Sequence, residues 1–438
     1  MKKVLISVIS ILAVALTLCM SACTVVASSE QLATAQTTTS LPYSERNDSG
    51  LLDIKSSANA FAYDFSEQTY SLLGGNGNFA VAPISVYMAL SIAAECASEQ
   101  TRAEILSALR VSYEALKNDF SKLYRSLIFE YNYDERLIGK LTLTNSIWLN
   151  SGMDAFSVKN ECLDSLSSDF FCHSFSADFT KENRQANEAV KQFVKEQTND
   201  LIKKDFNFSK DVSFILMNTL YLRDLWNRDG EDLKLTTNNY DFAASKGKKS
   251  VKFLMADYSL GRAYEEDTFT HFYAATADNF KIRFILPKDG YSVSDVFTAE
   301  NIEKVSAMSD YNAFDDENLI CYNTRCLFPE FEASFDKNVK DVLANYFNIN
   351  SMFDPSTSNF SALSDMKNYC SQVRHTTSLT VNKMGIEGAA VTVLELVGAA
   401  GPGKYTDVYN DFVVDRSFGF VITNASGAVI FTGVVNEI

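Results

Sequence analysis

The three histidines of this chain, His173, His271 and His375, are its best candidates for acid–base chemistry. A hydrolase would need one of them beside a nucleophile and an orienting acid. The sequence lacks the G-x-S-x-G, H-E-x-x-H and G-x-x-x-x-G-K-[ST] motifs, and no G-x-G-x-x-G follows a strand-like run. We therefore predict that the protein is not an enzyme.

The cysteines show no metal-binding or redox spacing. Neither C-x-x-C nor a mixed Cys/His cluster occurs, so we expect no metal site and no cofactor. A chain with 46% apolar residues can bury a large core without cross-links, which makes free or incidentally paired thiols the default. The cysteines after position 23 are Cys96, Cys162, Cys172, Cys321, Cys326 and Cys370.

The length and the net charge of the chain narrow the classes of protein to which it could belong. With 438 residues and no shift of composition after the first fifty, the chain predicts one large domain, over residues 53–438, acting as a monomer. The formal net charge of −16 argues against a nucleic-acid partner, because that kind of binding needs clustered Lys and Arg.

The N-terminus has the pattern of an export signal. Two lysines precede an apolar run, Val4 to Leu18, which is too short for a membrane span and typical of a signal peptide. The Met-Ser-Ala-Cys that follows resembles the bacterial lipoprotein cleavage box. It implies a signal peptide over residues 1–22 and lipid attachment at Cys23, with an ordinary cleaved signal peptide as the alternative. The Ser-, Thr- and Gln-rich residues 23–52 predict a flexible tether. We expect an exported, extracellular protein anchored to the bacterial cell membrane.

One stretch near the C-terminus combines strand character with an adjoining loop. Read alternately, residues 386–396 put both charges, Glu387 and Glu395, on one face. The run G-A-A-G-P-G over 398–403 has the composition of an exposed flexible loop. Taken alone, the pattern fits an edge strand followed by a surface loop. The uncharged face consists of Ile386, Gly388, Ala390, Thr392, Leu394 and Leu396.

Periodicity places further elements around this stretch. Apolar residues at helical spacing predict helices over residues 57–73 and 181–204. Pro83 separates a short strand from a helix that begins near Ser85. The predicted strands cover residues 141–149, 251–255 and 281–287.

Several of these segments carry motifs of the serpin family, which the chain resembles from about residue 55 to its C-terminus. Residues 78–90 are similar to the serpin motif N-x-x-x-S-P-x-S-x-x-x-A-L, with Ala82 in place of the first serine. Residues 214–226 are similar to the family's long strand that ends in a tryptophan, with Asp224 in place of glycine, and residues 412–436 are similar to its buried C-terminal hairpin. The resemblance implies an α+β fold with three β-sheets, about nine helices and an exposed reactive-centre loop.

The resemblance also implies roles for particular residues. Counting about seventeen residues from Lys383 places the scissile bond of the loop between Ala399 and Ala400. Ile386 departs from the usual Thr or Ser at the first inserted position, but a β-branched apolar side chain should be buried readily. The hinge comprises Gly385, Ile386, Glu387, Gly388, Ala389, Ala390, Val391 and Thr392; the shutter beneath the opening of the sheet comprises Ser85, Asn218 and His375, with Trp226 at the top of that opening.

The resemblance implies that the chain inhibits a serine or cysteine protease by suicide trapping. The protease cleaves the loop, stays covalently attached, and is displaced when the loop enters the main sheet. A small residue before the cut favours elastase-like or subtilisin-like targets over trypsin-like ones. The alternative is a non-inhibitory serpin-fold binding or scaffold protein that proteases cleave as a simple substrate.

Overall fold

The computed structural model describes residues 29–75, 77–154, 156–307, 313–387 and 405–438. Within these ranges the chain forms nine α-helices and two short 3₁₀ turns, Tyr43–Glu45 and Ser351–Phe353. The helices are α1 (Ser49–Ser71), α2 (Pro83–Cys96), α3 (Glu99–Leu109), α4 (Tyr113–Leu127), α5 (Asn160–Ser168), α6 (Asn183–Gln197), α7 (Val293–Val296), α8 (Ala299–Ala307) and α9 (Lys340–Asn345).

The strands of the same ranges differ widely in length. They are β1 (Ser29–Ala33), β2 (Phe79–Val81), β3 (Phe129–Tyr133), β4 (Arg136–Asn150), β5 (Cys172–Ala177), β6 (Phe214–Leu225), β7 (Lys234–Leu235), β8 (Tyr240–Ala244), β9 (Gly247–Val251), β10 (Leu254–Met255), β11 (Ser259–Leu260), β12 (Tyr264–Glu265), β13 (Phe269–Ala275), β14 (Lys281–Pro287), β15 (Phe314–Asp315), β16 (Ile320–Phe328), β17 (Phe331–Asn338), β18 (Arg374–Val381), β19 (Gly385–Glu387), β20 (Thr406–Val413), β21 (Phe418–Thr423) and β22 (Val429–Val435).

Three large sheets organise these strands. The main sheet has eight strands in the order β1-β5-β4-β6-β19-β18-β17, with β3 paired to β4. A second sheet combines β7, β10, β11, β15, β16 and β20, and a third has the order β12-β13-β14-β21-β22-β2. β8 and β9 form a separate hairpin. The predicted α+β fold with three sheets and about nine helices is confirmed for the described residues.

Helix α2 lies in the centre of the molecule, between β6 of the main sheet and β22 of the third sheet. It begins at Pro83, whose missing N–H costs nothing in the first helical turn. Ser85 and the rest of its first turn are buried. The strand–Pro–helix pattern of the sequence therefore positions Ser85 directly beneath the main sheet.

Helix α6 covers the opposite face of the main sheet. Val190, Phe193 and Val194 form an apolar cluster with residues that include Trp148 and Ile215. The prediction of a helix as far as residue 204 is wrong, because α6 ends at Gln197. The chain then adopts positive φ angles of 49° and 65° at the next Asn-Asp pair, 199–200, which a right-handed helix does not allow.

The N-terminal segment belongs to the folded domain from Ser29 onward. β1 pairs antiparallel with β5 and extends the main sheet, and the Ala35 N–H donates to Nδ1 of His173 over 3.3 Å. Leu41, farther along, is 3% exposed and part of the core. The prediction of a flexible tether over residues 23–52 is therefore wrong for residues 29–52. An unpaired edge on β5 would leave backbone groups without partners, and a polar strand satisfies them as well as an apolar one.

Candidate functional site

The main sheet contains a partly filled gap between β6 and β18. At one end, which we call the hinge pole, β19 lies between these two strands and pairs antiparallel with both: Ile386 is opposite Asp224 of β6 and Val381 of β18. Farther along, in the part of the chain that the structure describes, no strand joins β6 to β18. A cavity of about 60 Å³ lies there, lined among others by Asn218 and His375. This volume can hold a few water molecules.

A tight turn connects β18 to β19. The side-chain oxygen of Asn382 accepts hydrogen bonds from the backbone N–H groups of Met384, at 2.9 Å, and Gly385, at 3.3 Å. A Cβ atom on Gly385 would lie 2.0 Å from the backbone oxygen of Asp224. Only glycine therefore fits where the hinge enters the sheet.

Trp226 holds this turn against the end of β6. Its indole Nε1–H donates to the Asn382 carbonyl oxygen over 2.6 Å, and its backbone N–H donates to the Met384 carbonyl oxygen over 3.2 Å. The ring also packs edge-on against Phe328, with centroids 5.6 Å apart. Trp226 therefore lies at the end of β6, where the turn from β18 enters β19.

The first hinge residues already occupy strand positions. Ile386 is 1% exposed and packs in the core. Glu387 lies on the other face, where its Oε1 accepts from the Tyr221 hydroxyl over 3.4 Å. The remaining predicted hinge residues, 388–392, lie outside the described residues, as do the scissile pair 399–400 and Cys23.

Beneath the gap, polar side chains of three elements form a hydrogen-bonded chain. The Ser85 hydroxyl donates to Oδ1 of Asn218, and Nδ2 of Asn218 donates to Oδ1 of Asn145 over 2.7 Å. Nδ2 of Asn145 donates in turn to the Phe170 carbonyl oxygen over 2.8 Å. Sequence reasoning paired Ser85 with Asn218 but missed Asn145. The sequence feature that could have identified Asn145 is the presence of an asparagine inside the strand-like run L-T-L-T-N-S-I-W-L.

His375 lines the same cavity but is bonded separately. Its Nε2 accepts from the Ala82 N–H over 3.1 Å, and its ring is enclosed by Phe65 and Phe335, with centroids 6.1 and 5.9 Å away. The predicted single network of His375 with Asn218 is therefore corrected: the described contacts make two adjoining bonded units. Burial lowers the pKa of His375 to about 3.

We expect acid to destabilise the protein through His375. The unfolded chain takes up a proton on this group below pH about 6.5, whereas the folded chain does not, so stability falls as the pH falls, by about 1.4 kcal/mol per unit. Between pH about 6.5 and 4.5, the wild type should lose about 2–3 kcal/mol more unfolding free energy than His375→Gln. Urea unfolding at the two pH values measures this difference. Equal losses in both proteins would show that His375 does not titrate as its burial requires.

Asp224 is an unusual residue at the entrance of the gap. Its side chain is completely buried, and neither carboxylate oxygen has a hydrogen bond of normal geometry within the described residues. Burial raises its pKa well above the ordinary value, and the charge of Asp278 raises it further, against a smaller opposing effect of the Thr276 hydroxyl. The pKa of Asp278 is itself raised to about 6 by burial. Burial therefore favours the protonated form of the Asp224 carboxyl.

Asp224→Asn should stabilise the protein increasingly as the pH rises. As the pH rises above about 4, the unfolded chain releases the Asp224 proton before the folded chain does, so the wild type loses up to about 1.4 kcal/mol per pH unit through this group. Urea midpoints at pH 4.5 and 7.5 test this expectation, with the exposed Asp164→Asn as the control. A stability difference between Asp224→Asn and the wild type that does not change with pH would contradict it.

The other histidines and the cysteines have structural surroundings. His173 accepts from the Ala35 N–H, as described above, and His271 stacks on Tyr264 with ring centroids 4.9 Å apart. Burial lowers the pKa of His271 to about 4. The six described cysteines are buried free thiols. The described residues contain no cluster of His, Cys, Asp and Glu suited to a metal ion, and none of their helices is long and apolar enough to cross a membrane.

In the described residues the main sheet thus has a gap between β6 and β18 that β19 fills only at the hinge pole. The sequence profile of the serpin (serine protease inhibitor) family matches residues 56–438. The chain therefore belongs to the serpin family. Membership supports a function of the protease-inhibitor type in general.

Individual relatives agree with this assignment. An uncharacterised serpin-like protein of Methanosarcina mazei is 23% identical over 390 residues, which cover 87% of each chain. Serine protease inhibitor 42Dd of Drosophila melanogaster is 25% identical over 376 residues, covering 84% of this chain and 94% of that protein. Among solved structures, the native state of the thermophilic serpin tengpin has a TM-score of 0.69 at 22% identity. It covers 94% of this chain, and the match spans all of tengpin.

Proposed function

We propose that this protein inhibits serine-type endopeptidases by suicide trapping, with the Ala399–Ala400 bond as the scissile bond. The observation that carries the proposal is the position of β19. Its three residues already pair with β6 on one side and β18 on the other, antiparallel to both. Cleavage of the loop would free residues 388–399 to continue this strand along the gap.

The register of β19 gives the length of the inserted strand. Gly385 is opposite Leu225, and Glu387 is opposite Arg223. Continued in the same register, Leu396 would reach Phe214, the first residue of β6. The gap therefore accommodates residues 385–396, and Ala399 would emerge three residues beyond the sheet at its opposite end.

The chemistry of the loop suits the face that it would meet. Continued alternation puts Gly388, Ala390 and Thr392 on the same side as the buried Ile386, which is the side of α2. Thr392 would come opposite Asn218, whose side chain belongs to the hydrogen-bonded chain beneath the gap. A hydroxyl placed there can join that chain and satisfy a buried polar group.

Insertion would release enough free energy to move a protease. About ten net backbone hydrogen bonds at roughly 0.5–1.5 kcal/mol each, together with the burial of apolar side chains, give on the order of ten kcal/mol or more before the entropy of ordering the loop is subtracted. The attached protease would be carried to the far end of the sheet and distorted before it could hydrolyse the acyl bond. This mechanism needs no catalytic residue in the inhibitor.

A panel of serine proteases tests the proposal. The protein is mixed with elastase, subtilisin and trypsin, and the products are separated on denaturing gels. A band of the summed mass of inhibitor and protease supports trapping. A cleaved inhibitor without that band, for each protease in the panel, would favour the alternative, a serpin-fold binding or scaffold protein that is cleaved as a simple substrate.

We propose further that the protein is exported and anchored to the outer face of the cell membrane by a lipid on Cys23. The apolar run before this residue and the small residues next to it support the proposal. Cys23→Ala is expected to move the protein from the membrane fraction to the medium, and fractionation with immunoblotting measures the shift. A wild-type protein found entirely in the medium, with a mature N-terminus other than Cys23, would contradict it.

A further inference from the structure

The second sheet carries a group of aromatic and charged side chains on its solvent face. The rings of Tyr258 and Tyr409 are in contact, with centroids 5.1 Å apart, yet these residues are 44% and 61% exposed. Adjacent exposed rings that are surrounded by polar residues are typical of a surface that another protein covers. We call Tyr258, Arg325, Tyr409 and Asp411 the tyrosine patch.

Arg325 holds the patch in one arrangement. Its guanidinium carbon lies 4.9 Å from the centroid of the Tyr258 ring. Its Nε and Nη2 atoms donate to the two carboxylate oxygens of Asp411 over 2.6 and 3.3 Å. Because these side chains are ordered before a partner arrives, docking costs little further side-chain entropy. Tyrosine and arginine are also among the residue types that contribute most to binding free energy in protein interfaces.

The strand register explains why the patch faces the solvent. Asp411 of β20 is opposite Arg325 of β16, and Tyr409 precedes Asp411 by two residues, so these three side chains lie on the same side of the sheet. The neighbouring residues Thr324 and Phe412 lie on the other side and are buried. The second sheet therefore keeps one face in the core and holds the patch on the opposite face.

The patch lies between the two described ends of the reactive-centre loop. The loop leaves the main sheet at the hinge pole, where Trp226 packs against Phe328, the last residue of β16. It returns at Thr406, which is opposite Ile320, the first residue of β16. At about 3.3 Å per residue, Arg325 is about 10 Å along β16 from Phe328 and about 17 Å from Ile320. Both ends of the loop are therefore close to the patch.

A protease that attacks the loop extends over this face. The proposed scissile bond precedes Thr406 by six residues, which span at most about 20 Å of extended chain. A protease domain of about 220 residues is roughly 40 Å across, so its surface beside the substrate cleft reaches the second sheet. We propose that the tyrosine patch is a docking surface for the body of the attacking protease, separate from the loop that occupies its active site. The inference rests on the proposed reaction of the loop with a serine-type endopeptidase.

The charges around the patch indicate what kind of protease surface it fits. Asp411 neutralises Arg325 within the patch, whereas Asp257, next to Tyr258, and Asp407, two residues before Tyr409, are exposed carboxylates. Like charges that meet across an interface cost free energy. The matching protease surface therefore presents apolar side chains to the tyrosines and basic or uncharged groups around them.

Binding to inactive proteases tests the docking surface separately from trapping. Elastase and subtilisin, each with its catalytic serine replaced by alanine, are titrated with the wild type and with Tyr258→Ala/Tyr409→Ala. Tyr43→Ala is the control, because this tyrosine is 85% exposed in the N-terminal segment. For one or both proteases the dissociation constant of the double variant should rise by about tenfold or more, and that of the control should stay within about twofold of the wild type.

The active proteases supply a second measurement. The second-order rate constant for loss of intact inhibitor should fall by the same factor in the double variant. The ratio of covalent complex to cleaved inhibitor should not change, because the patch acts before the loop is cut. Urea midpoints check that the variants are folded. Tyr409→Glu, a substitution at an exposed position that adds a charge, should lower affinity and rate in the same direction if the double variant is unfolded.

The outcomes separate this inference from the proposed function. Affinities and rate constants that stay unchanged in the folded variants, for both proteases, would overturn the docking surface even if covalent complexes form. A loss of affinity in the variants without any covalent complex in the wild type would reject trapping and keep the docking surface. A wild-type protein that neither binds nor is cleaved by the two proteases would reject both.

Discussion

Ala390→Arg is expected to convert the protein from a protease trap into a substrate while leaving the native fold intact. In the continued register, residue 390 comes opposite Leu220, on the side of the sheet that faces α2. An unpaired guanidinium there costs several kcal/mol, and each 1.4 kcal/mol slows insertion about tenfold. Deacylation then precedes insertion. Denaturing gels should show at least a tenfold loss of covalent complex and a matching gain of cleaved inhibitor.

Gly403→Arg is the matched control for this experiment. It places the same side chain in the same loop but after the proposed scissile bond, so it does not enter the sheet. Its complex yield should stay close to that of the wild type. Unchanged trapping by Ala390→Arg would contradict the insertion argument. An equal loss in both variants would instead assign the effect to recognition of the loop by the protease.

Two strands, β6 beside the gap and β14 in the third sheet, could be predicted from the sequence because each is a strand-like run that resembles a family motif. β6 was predicted as residues 214–226 and observed as Phe214–Leu225, and β14 was predicted with its observed bounds. β1 could not be found in this way. Its sequence, S-E-Q-L-A, has no apolar alternation, and its stability comes from backbone bonds to β5, which only the folded sheet provides.

Only the side chains of the site that stand at motif positions could be predicted from the sequence. Ser85 and Asn218 stand at motif positions, so their pairing could be expected. The partner of His375 is the backbone N–H of Ala82. Every residue except proline has a backbone N–H, so this hydrogen bond could not be recognised from the residue types. For the same reason Ala82, although it replaces a serine, still supplies the hydrogen bond that fixes the ring. The burial of Asp224 depends on the 276–279 turn after β13, which is more than fifty residues away in sequence.

The scissile bond carries the second large expected effect: elastase should form a covalent complex and release a C-terminal fragment that begins at Ala400. A trypsin-like protease would have to cut after Lys404. Counting back from the Asp415–Phe418 segment gives another position, near Thr406, so the two ways of counting disagree by about seven residues.

The structure favours the forward count. Thr406 is the first residue of β20 and is paired with Ile320, and the Tyr405 ring packs on Phe314 with centroids 5.0 Å apart. A protease binds its substrate as an extended strand on both sides of the cut. Cleavage near Thr406 would therefore require β20 to leave the second sheet, whereas the bond at 399–400 lies several residues before it.

Length gives an independent reason. In the continued register the chain would fill the gap as far as Leu396, so a protease held at Ala399 would be drawn to within three residues of the end of the main sheet opposite the hinge pole. One held at Lys404 would keep five more residues, roughly 17 Å of slack, and could retain an undistorted active site long enough to deacylate. Trypsin should therefore give cleaved inhibitor without complex. Mass spectrometry of the released peptide and a denaturing gel test this expectation. A stable trypsin complex joined through Lys404 would show that the five extra residues do not let the protease deacylate. That result would contradict the assignment of Ala399.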